Sequence, residues 1–170
     1  ATNYIKFTYQ KKAKRAIDNL KKLSEKAQNH WYIKCIHARY LEILSDNSAE
    51  IFFKEALNIY PGQYFQVNRA IASYYFNTFR YDESNKIYSE LVKKIKLKDV
   101  FNGYCLSLQF TNKLENLNTS LTFLDSIDES ILDKFSIYSL RLSSVKRLGE
   151  HFSDEENIKI MRKIIKILSD

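Results

Sequence analysis

Residues 49–61 read AEIFFKEALNIYP, and residues 72–91 read ASYYFNTFRYDESNKIYSEL. The first stretch carries Ala49, Phe53, Ala56 and Pro61. The second carries Ala72 and Tyr75, then Arg80-Tyr81-Asp82-Glu83-Ser84, with Tyr88 and Leu91 following. One pattern of small and bulky residues thus recurs after about 35 residues, the spacing of a helix–turn–helix repeat of roughly 34 residues. Such a unit cannot bury its apolar face alone, so the whole chain is read as a stack of helical hairpins.

Working outward, the hairpin at 30–61 opens with Ile33, Ile36, Tyr40 and Leu44 facing inward. Asp46-Asn47-Ser48 breaks and caps, Ala49, Phe53, Ala56 and Leu57 continue, and Pro61-Gly62 stops the second helix. The hairpin at 64–96 sets Ile71, Ala72 and Tyr75 against Tyr88 and Leu91, with Ser84 small enough for close approach. The hairpin at 99–127 is weaker but in phase, with Leu106, Ser107 and Phe110, then Thr119, Phe123 and Ile127. Asn102-Gly103 falls inside its helical pattern, where glycine costs about 1 kcal/mol against alanine. The last pair, 131–168, reads as a long helix from Ile131 to Leu148 ending at Gly149, then a capping box at Ser153-Asp154-Glu155-Glu156. The helix it starts carries Ile158, Met161, Ile164, Ile165 and Leu168, with Ile160 and Ile167 widening the apolar face. That face is broader than a terminal cap needs and predicts that something packs on it, a second copy of the chain included. Before the first hairpin, Tyr9, Ala13, Ala16, Ile17, Leu20, Leu23 and Ala27 form one stripe, read as the second helix (9–27) of a truncated repeat.

Composition agrees with helices. Three glycines and one proline in 170 residues argue against sandwiches, barrels and glycine-rich phosphate loops, while 14% aromatic residues supply bulky core material. The net charge of +7 is concentrated: residues 1–40 hold ten basic residues against two acidic ones, a balance of +8, and residues 41–170 balance at −1. Lys11, Lys12, Lys14, Arg15, Lys21, Lys22 and Lys26 occupy the side opposite the first apolar stripe. Cys35 and Cys105 lie in apolar helical contexts and are read as buried thiols. With no signal-like opening segment, they point to the cytoplasm. The start at Ala1, already inside a helical pattern, predicts a piece of a longer protein.

These positions resemble the tetratricopeptide repeat superfamily over residues 30–95, and more loosely to 127. The hairpin at 30–61 supplies Ile36, His37, Tyr40, Ala49, Phe53, Ala56 and Pro61, with His37 where a small residue is usual. The hairpin at 64–96 supplies Ile71, Ala72, Tyr75, Ser84, Tyr88 and Leu91, with Leu91 where alanine is usual. The resemblance implies an all-α, right-handed α-solenoid of about nine helices whose first helices line a concave groove for a protein or peptide. Carried over by position, the groove takes Lys34, Cys35, Ala38 and Glu42 from one hairpin, and Arg69, Ser73, Phe76 and Asn77 from the next. Tyr104, Cys105, Leu108 and Asn112 follow, then Lys146 and Arg147. The carboxylate-gripping set of some members is incomplete, since Ala38 stands where the first Asn would be. Bacterial peptide-sensing regulators and signal-transducing ATPases end in divergent repeats of similar style, which implies a sensor or docking part of a larger protein.

No residues suggest catalysis. There is no phosphate-cradling loop and no nucleophile elbow, and His30, His37 and His151 are scattered without metal-ligand spacing. No cofactor and no metal are expected, and no apolar stretch is long enough to span a bilayer. The expectation is a non-catalytic interaction module acting through Lys34, Arg69, Phe76, Asn77, Tyr104, Asn112, Lys146 and Arg147. Two alternatives remain open: nucleic-acid or acidic-domain binding through the basic face of Lys11, Lys12, Arg15, Lys22 and Lys26, and homodimerisation through the Ile158–Leu168 helix.

Overall fold

The computed structural model describes residues 2–61, 64–151 and 162, with side chains from residue 8 onward. The described residues form α-helices and short connections, with no strand among them. In chain order these are α1 (Thr2–Lys21), α2 (Glu25–Gln28), α3 (Trp31–Ile43), α4 (Ala49–Ile59), α5 (Tyr64–Asn77), α6 (Tyr81–Val92), α7 (Lys98–Phe110), α8 (Leu114–Asp125) and α9 (Lys134–Gly149). They fall into two compact units, one ending at Thr78 and one beginning at Phe79.

In the first unit, α3 packs on α1, α4 and α5, and α4 also packs on α5. Its core is built from small and bulky residues in alternation: Ala13 and Ile17, Ala38 and Leu41, Ala49, Phe53 and Ala56, then Val67, Ile71, Ala72, Tyr74 and Tyr75. The alanines let helix axes approach, and the Phe53 ring fills the space beside Tyr74, 5.8 Å between centroids. The Tyr75 hydroxyl, at the edge of this core, donates to Glu50 Oε1 at 2.7 Å, so the phenol buries its ring without orphaning its polar end.

Two details differ from the sequence reading. The expected helix over 9–27 is broken: α1 ends at Lys21 and α2 begins at Glu25. Ser24 caps α2 by accepting from Ala27 N, and Gln28 Nε2 donates to the carbonyls of Lys21 and Leu23, satisfying the end of α1. In α3, Ala38 is fully buried and belongs to the core, not to the groove, while His37 is half-buried with its ring 4.1 Å from that of Phe52. The cause is the turn. Ala38 precedes Ala49 by 11 residues, whereas Ala72 precedes Ser84 by 12, so counting back from α4 misplaces the α3 face by one residue.

In the second unit α7 packs between α6 and α8, and α9 packs on both α8 and α7. Phe101, Cys105, Leu124, Leu132, Ile137 and Leu140 make one buried cluster. Gly103 lies under the Tyr88 ring: a Cβ there would come within 2.3–2.7 Å of Tyr88 ring carbons and hydroxyl oxygen, so this mid-helix glycine is set by close approach. Lys98 at the start of α7 pairs with Asp133 at the N-cap of α9, and Gln109 near the end of α7 bonds Ser144 near the end of α9. Both links span 35 residues, so α7 and α9 run in the same direction, offset by 35 residues.

The register of α7 and α8 is also displaced by about a residue from that expected. Cys105 and Leu108, assigned to the groove, are buried, whereas Phe110 and Thr119, assigned to the core, are exposed. The buried positions of α8 are Leu117, Ser120 and Leu124. The helix expected from Ile131 starts instead at Lys134, because Asp133 accepts from Ser136 N and caps it. Gly62 and, apart from Arg162, the Ser153–Leu168 stretch with its proposed dimer face lie outside the described residues.

Three of the turns share one backbone conformation. Ser45, Phe79 and Asn112 adopt left-handed backbone, φ 58°, 63° and 52°, just after α3, α5 and α7. After α3 the amides of Ser45 and Asp46 donate to the carbonyls of Glu42 and Leu41, the paired closure of a Schellman turn.

Candidate partner-binding surface

In the first unit, Lys34 is held by Glu55 at 2.7 Å with its ammonium 5.1 Å from the Phe52 ring, so its charge is committed inside the hairpin. Asn77 Nδ2 donates to Glu42 Oε1 at 2.7 Å, and Arg39 donates to Glu42 Oε2 at 2.8 Å. Glu42 and Asn77, two groove residues expected from successive first helices, are thus brought together across 35 residues. Arg69 and Phe76 are half-buried on α5.

In the second unit, Arg147 on α9 places its guanidinium 4.2 Å from the centre of the Phe110 ring, at the end of α7. Phe110 meets Tyr81 at 5.2 Å, and Tyr81 meets Phe79 edge-on at 6.2 Å. The result is a row of three rings and one guanidinium. Asp82 and Lys113, paired at 2.8 Å, stand beside it in sequence, next to Tyr81 and Asn112. Phe79 is 79% exposed and carries a φ of 63°. Asn112 and Lys146 are exposed. The sequence reading included Arg147 in its groove set and did not include Phe79, Tyr81 or Phe110. The available signal was Phe79 itself, an aromatic in a short turn where polar residues or glycine are usual.

Tyr104 is separate from this row. It lies edge-on to Phe123 at 4.9 Å and walls an open cleft of about 760 Å³ along α8. Burial raises its phenol pKa. The hydroxyls of Thr119, Thr122 and Ser126 in that cleft donate to carbonyls of their own helix.

The core of this unit holds a polar knot that sequence reasoning did not foresee. Gln109 is 0% exposed, and its Nε2 donates to Leu140 O at 3.0 Å and Ser144 Oγ at 2.8 Å, with Ser120 Oγ at 3.3 Å. A carbonyl partner fixes which end of the amide is nitrogen. The Cys105 thiol beside Ser120 is pushed up to about 12 by burial, against a lowering hydrogen bond from Ser120, so it stays a protonated core thiol. Cys35 is half-buried and also raised by burial.

The basic residues Lys11, Lys12, Arg15, Lys22 and Lys26 are all exposed but do not share one helix: Lys11, Lys12 and Arg15 are on α1, Lys22 lies in the break and Lys26 on α2. His30 caps α3 through Nδ1. Among the described residues, no three His, Cys, Asp or Glu side chains group as a metal site, and no helix is long and apolar enough to cross a membrane. Comparison with protein-family models, with curated proteins and with solved structures finds no match.

Proposed function

We propose that the chain is a tetratricopeptide-like α-solenoid serving as a non-catalytic, protein- or peptide-binding module of a larger protein. The observation that carries this reading is Phe79. A bulky side chain in left-handed backbone costs on the order of 1–2 kcal/mol, and Phe79 packs only by one edge-on contact with Tyr81. Strain of this kind accompanies function, and Phe79 ends a row of Tyr81, Phe110 and Arg147, the residue types that dominate binding energy at interfaces. The rings offer an apolar strip and the guanidinium a fixed donor, which together suit an extended segment bearing an apolar side chain near a carboxylate. The Glu42–Asn77 pair and the parallel α7 and α9 support repeat stacking within each unit.

The test is selection of binding peptides from a random display library, followed by affinity measurement on purified variants. Phe79→Gly and Arg147→Ser should each weaken the selected peptides about tenfold or more, equivalent to about 1.4 kcal/mol, while circular dichroism stays native. A library that enriches nothing, or peptides held equally by both variants, would overturn the reading.

A further inference from the structure

The first unit divides its charges unevenly. On α3 and α4, Lys34 holds Glu55 at 2.7 Å, Arg39 holds Glu42 at 2.8 Å and Lys54 holds Glu50 at 2.7 Å. Asp46 is occupied by Ser48, whose amide and hydroxyl both donate to it. Between residues 8 and 30, by contrast, Lys11, Lys12, Lys14, Arg15, Lys21, Lys22 and Lys26 stand against Asp18 and Glu25 alone. All seven cations are exposed, and among the described residues none of their side chains enters an ion pair or a hydrogen bond.

The fold gathers these charges. On α1, Lys11, Lys12, Lys14 and Arg15 span about 160° of arc at about 100° per residue, while Ala13 and Ile17 bury the other side. At about 1.5 Å per residue, Lys11 to Lys21 covers about 15 Å, the run of about four phosphates along one strand. Gln28 then folds the chain back, its amide bonding the carbonyls of Lys21 and Leu23, which keeps Lys22 and Lys26 at the end of α1. Exposed rings accompany the cations. Tyr9, 59% exposed, lies three residues before Lys12 and so adjoins it on the surface of α1. Tyr32, 53% exposed, opens α3 beside His30, whose amide bonds Ala27 O, and the Trp31 ring meets it edge-on at 5.5 Å. We propose that the α1–α2 face of the first unit binds single-stranded nucleic acid, the cations tracking phosphates and Tyr32 stacking on a base. Cations without carboxylate partners contact phosphates with no ion pair to break, and the exposed rings add the stacking surface that a purely acidic protein segment would not use. The inference is independent of the peptide-binding reading, whose residues Phe79, Tyr81, Phe110 and Arg147 lie in the second unit.

Fluorescence anisotropy of a short labelled oligothymidylate, titrated with the full chain over a salt series, tests the proposal. Binding should weaken with salt at a log–log slope of about −3, four phosphates at about 0.7 each. Lys22→Gln combined with Lys26→Gln should make that slope shallower by about 1.4. Tyr32→Ala should weaken binding about tenfold at an unchanged slope, and Tyr32→Trp should restore it, since the ring and not the hydroxyl does the stacking. No binding at about 50 mM salt would overturn the proposal. So would a poly-glutamate chain that displaces the oligonucleotide at equal charge while Tyr32→Ala binds as tightly as the native chain, because the partner would then be an acidic protein surface.

Discussion

Gly103 shows how a residue can be correctly placed and wrongly explained. Its helical context was plain from the flanking pattern, but in sequence it is only a helix weakness, because the Tyr88 ring that presses on it sits 15 residues away. Helix propensity alone predicts that Gly103→Ala stabilises by about 1 kcal/mol. The packing reverses the sign: the added methyl must displace the ring, and overpacking costs about 1–3 kcal/mol. Urea unfolding of Gly103→Ala, Tyr88→Leu and the double variant should show the alanine destabilising alone and better tolerated beside the leucine. His37 gives a second residue-level prediction. Its pKa is lowered, first by burial and then by Lys21 and Lys34, against Glu55 and Asp46. A folded value below about 6.5 means the unfolded chain binds the proton first, so this contribution is present above pH 6.5 and is lost as pH falls towards the folded value. The urea midpoint should therefore drop less between pH 7 and pH 5 in His37→Gln than in the native chain.

At the level of elements, α3 to α6 and α8 lie within the segments expected from spacing and α7 begins one residue before its own, since small and aromatic residues at helical intervals record helix packing directly. Faces were harder. A connection one residue shorter between Ala38 and Ala49 turned the deduced α3 face, and Gln109, Ser120 and Ser144 hid the α7–α8 core because polar residues do not announce burial. The α1–α2 break was illegible because Gln28 reaches back to the Lys21 and Leu23 carbonyls, a tertiary bond with no periodic trace. Where register was read correctly, energy follows. Tyr75→Ala removes a buried ring and its bond to Glu50 and should cost roughly 3–5 kcal/mol in a thermal or urea melt. Lys22→Glu, exposed in the break, should shift stability by under about 0.5 kcal/mol in the same assay.

Along the whole chain a spacing of 33–35 residues recurs in three forms. Sequence shows it as recurring residue types, the helices as links spanning 35 residues, and the turns as left-handed residues at 45, 79 and 112, intervals of 34 and 33. The proposed partner surface was only partly legible: Arg147 was named from its position, while the rings beneath and beside it, Phe110, Tyr81 and Phe79, come together only through folding. The turns carry a further consequence. None of these three positions is a glycine, so each holds a conformation that glycine would adopt without penalty, with asparagine the best tolerated of the three. Thermal headroom is therefore stored in the chain. Phe79→Gly should raise stability by about 0.5–1 kcal/mol, read as a melting temperature several degrees higher, with Ser45→Gly gaining less and Asn112→Gly least. A lower melting temperature for Phe79→Gly would mean that its ring is structurally supported. If the temperature rises, Phe79 is a position where the chain forgoes heat resistance that a single glycine would restore.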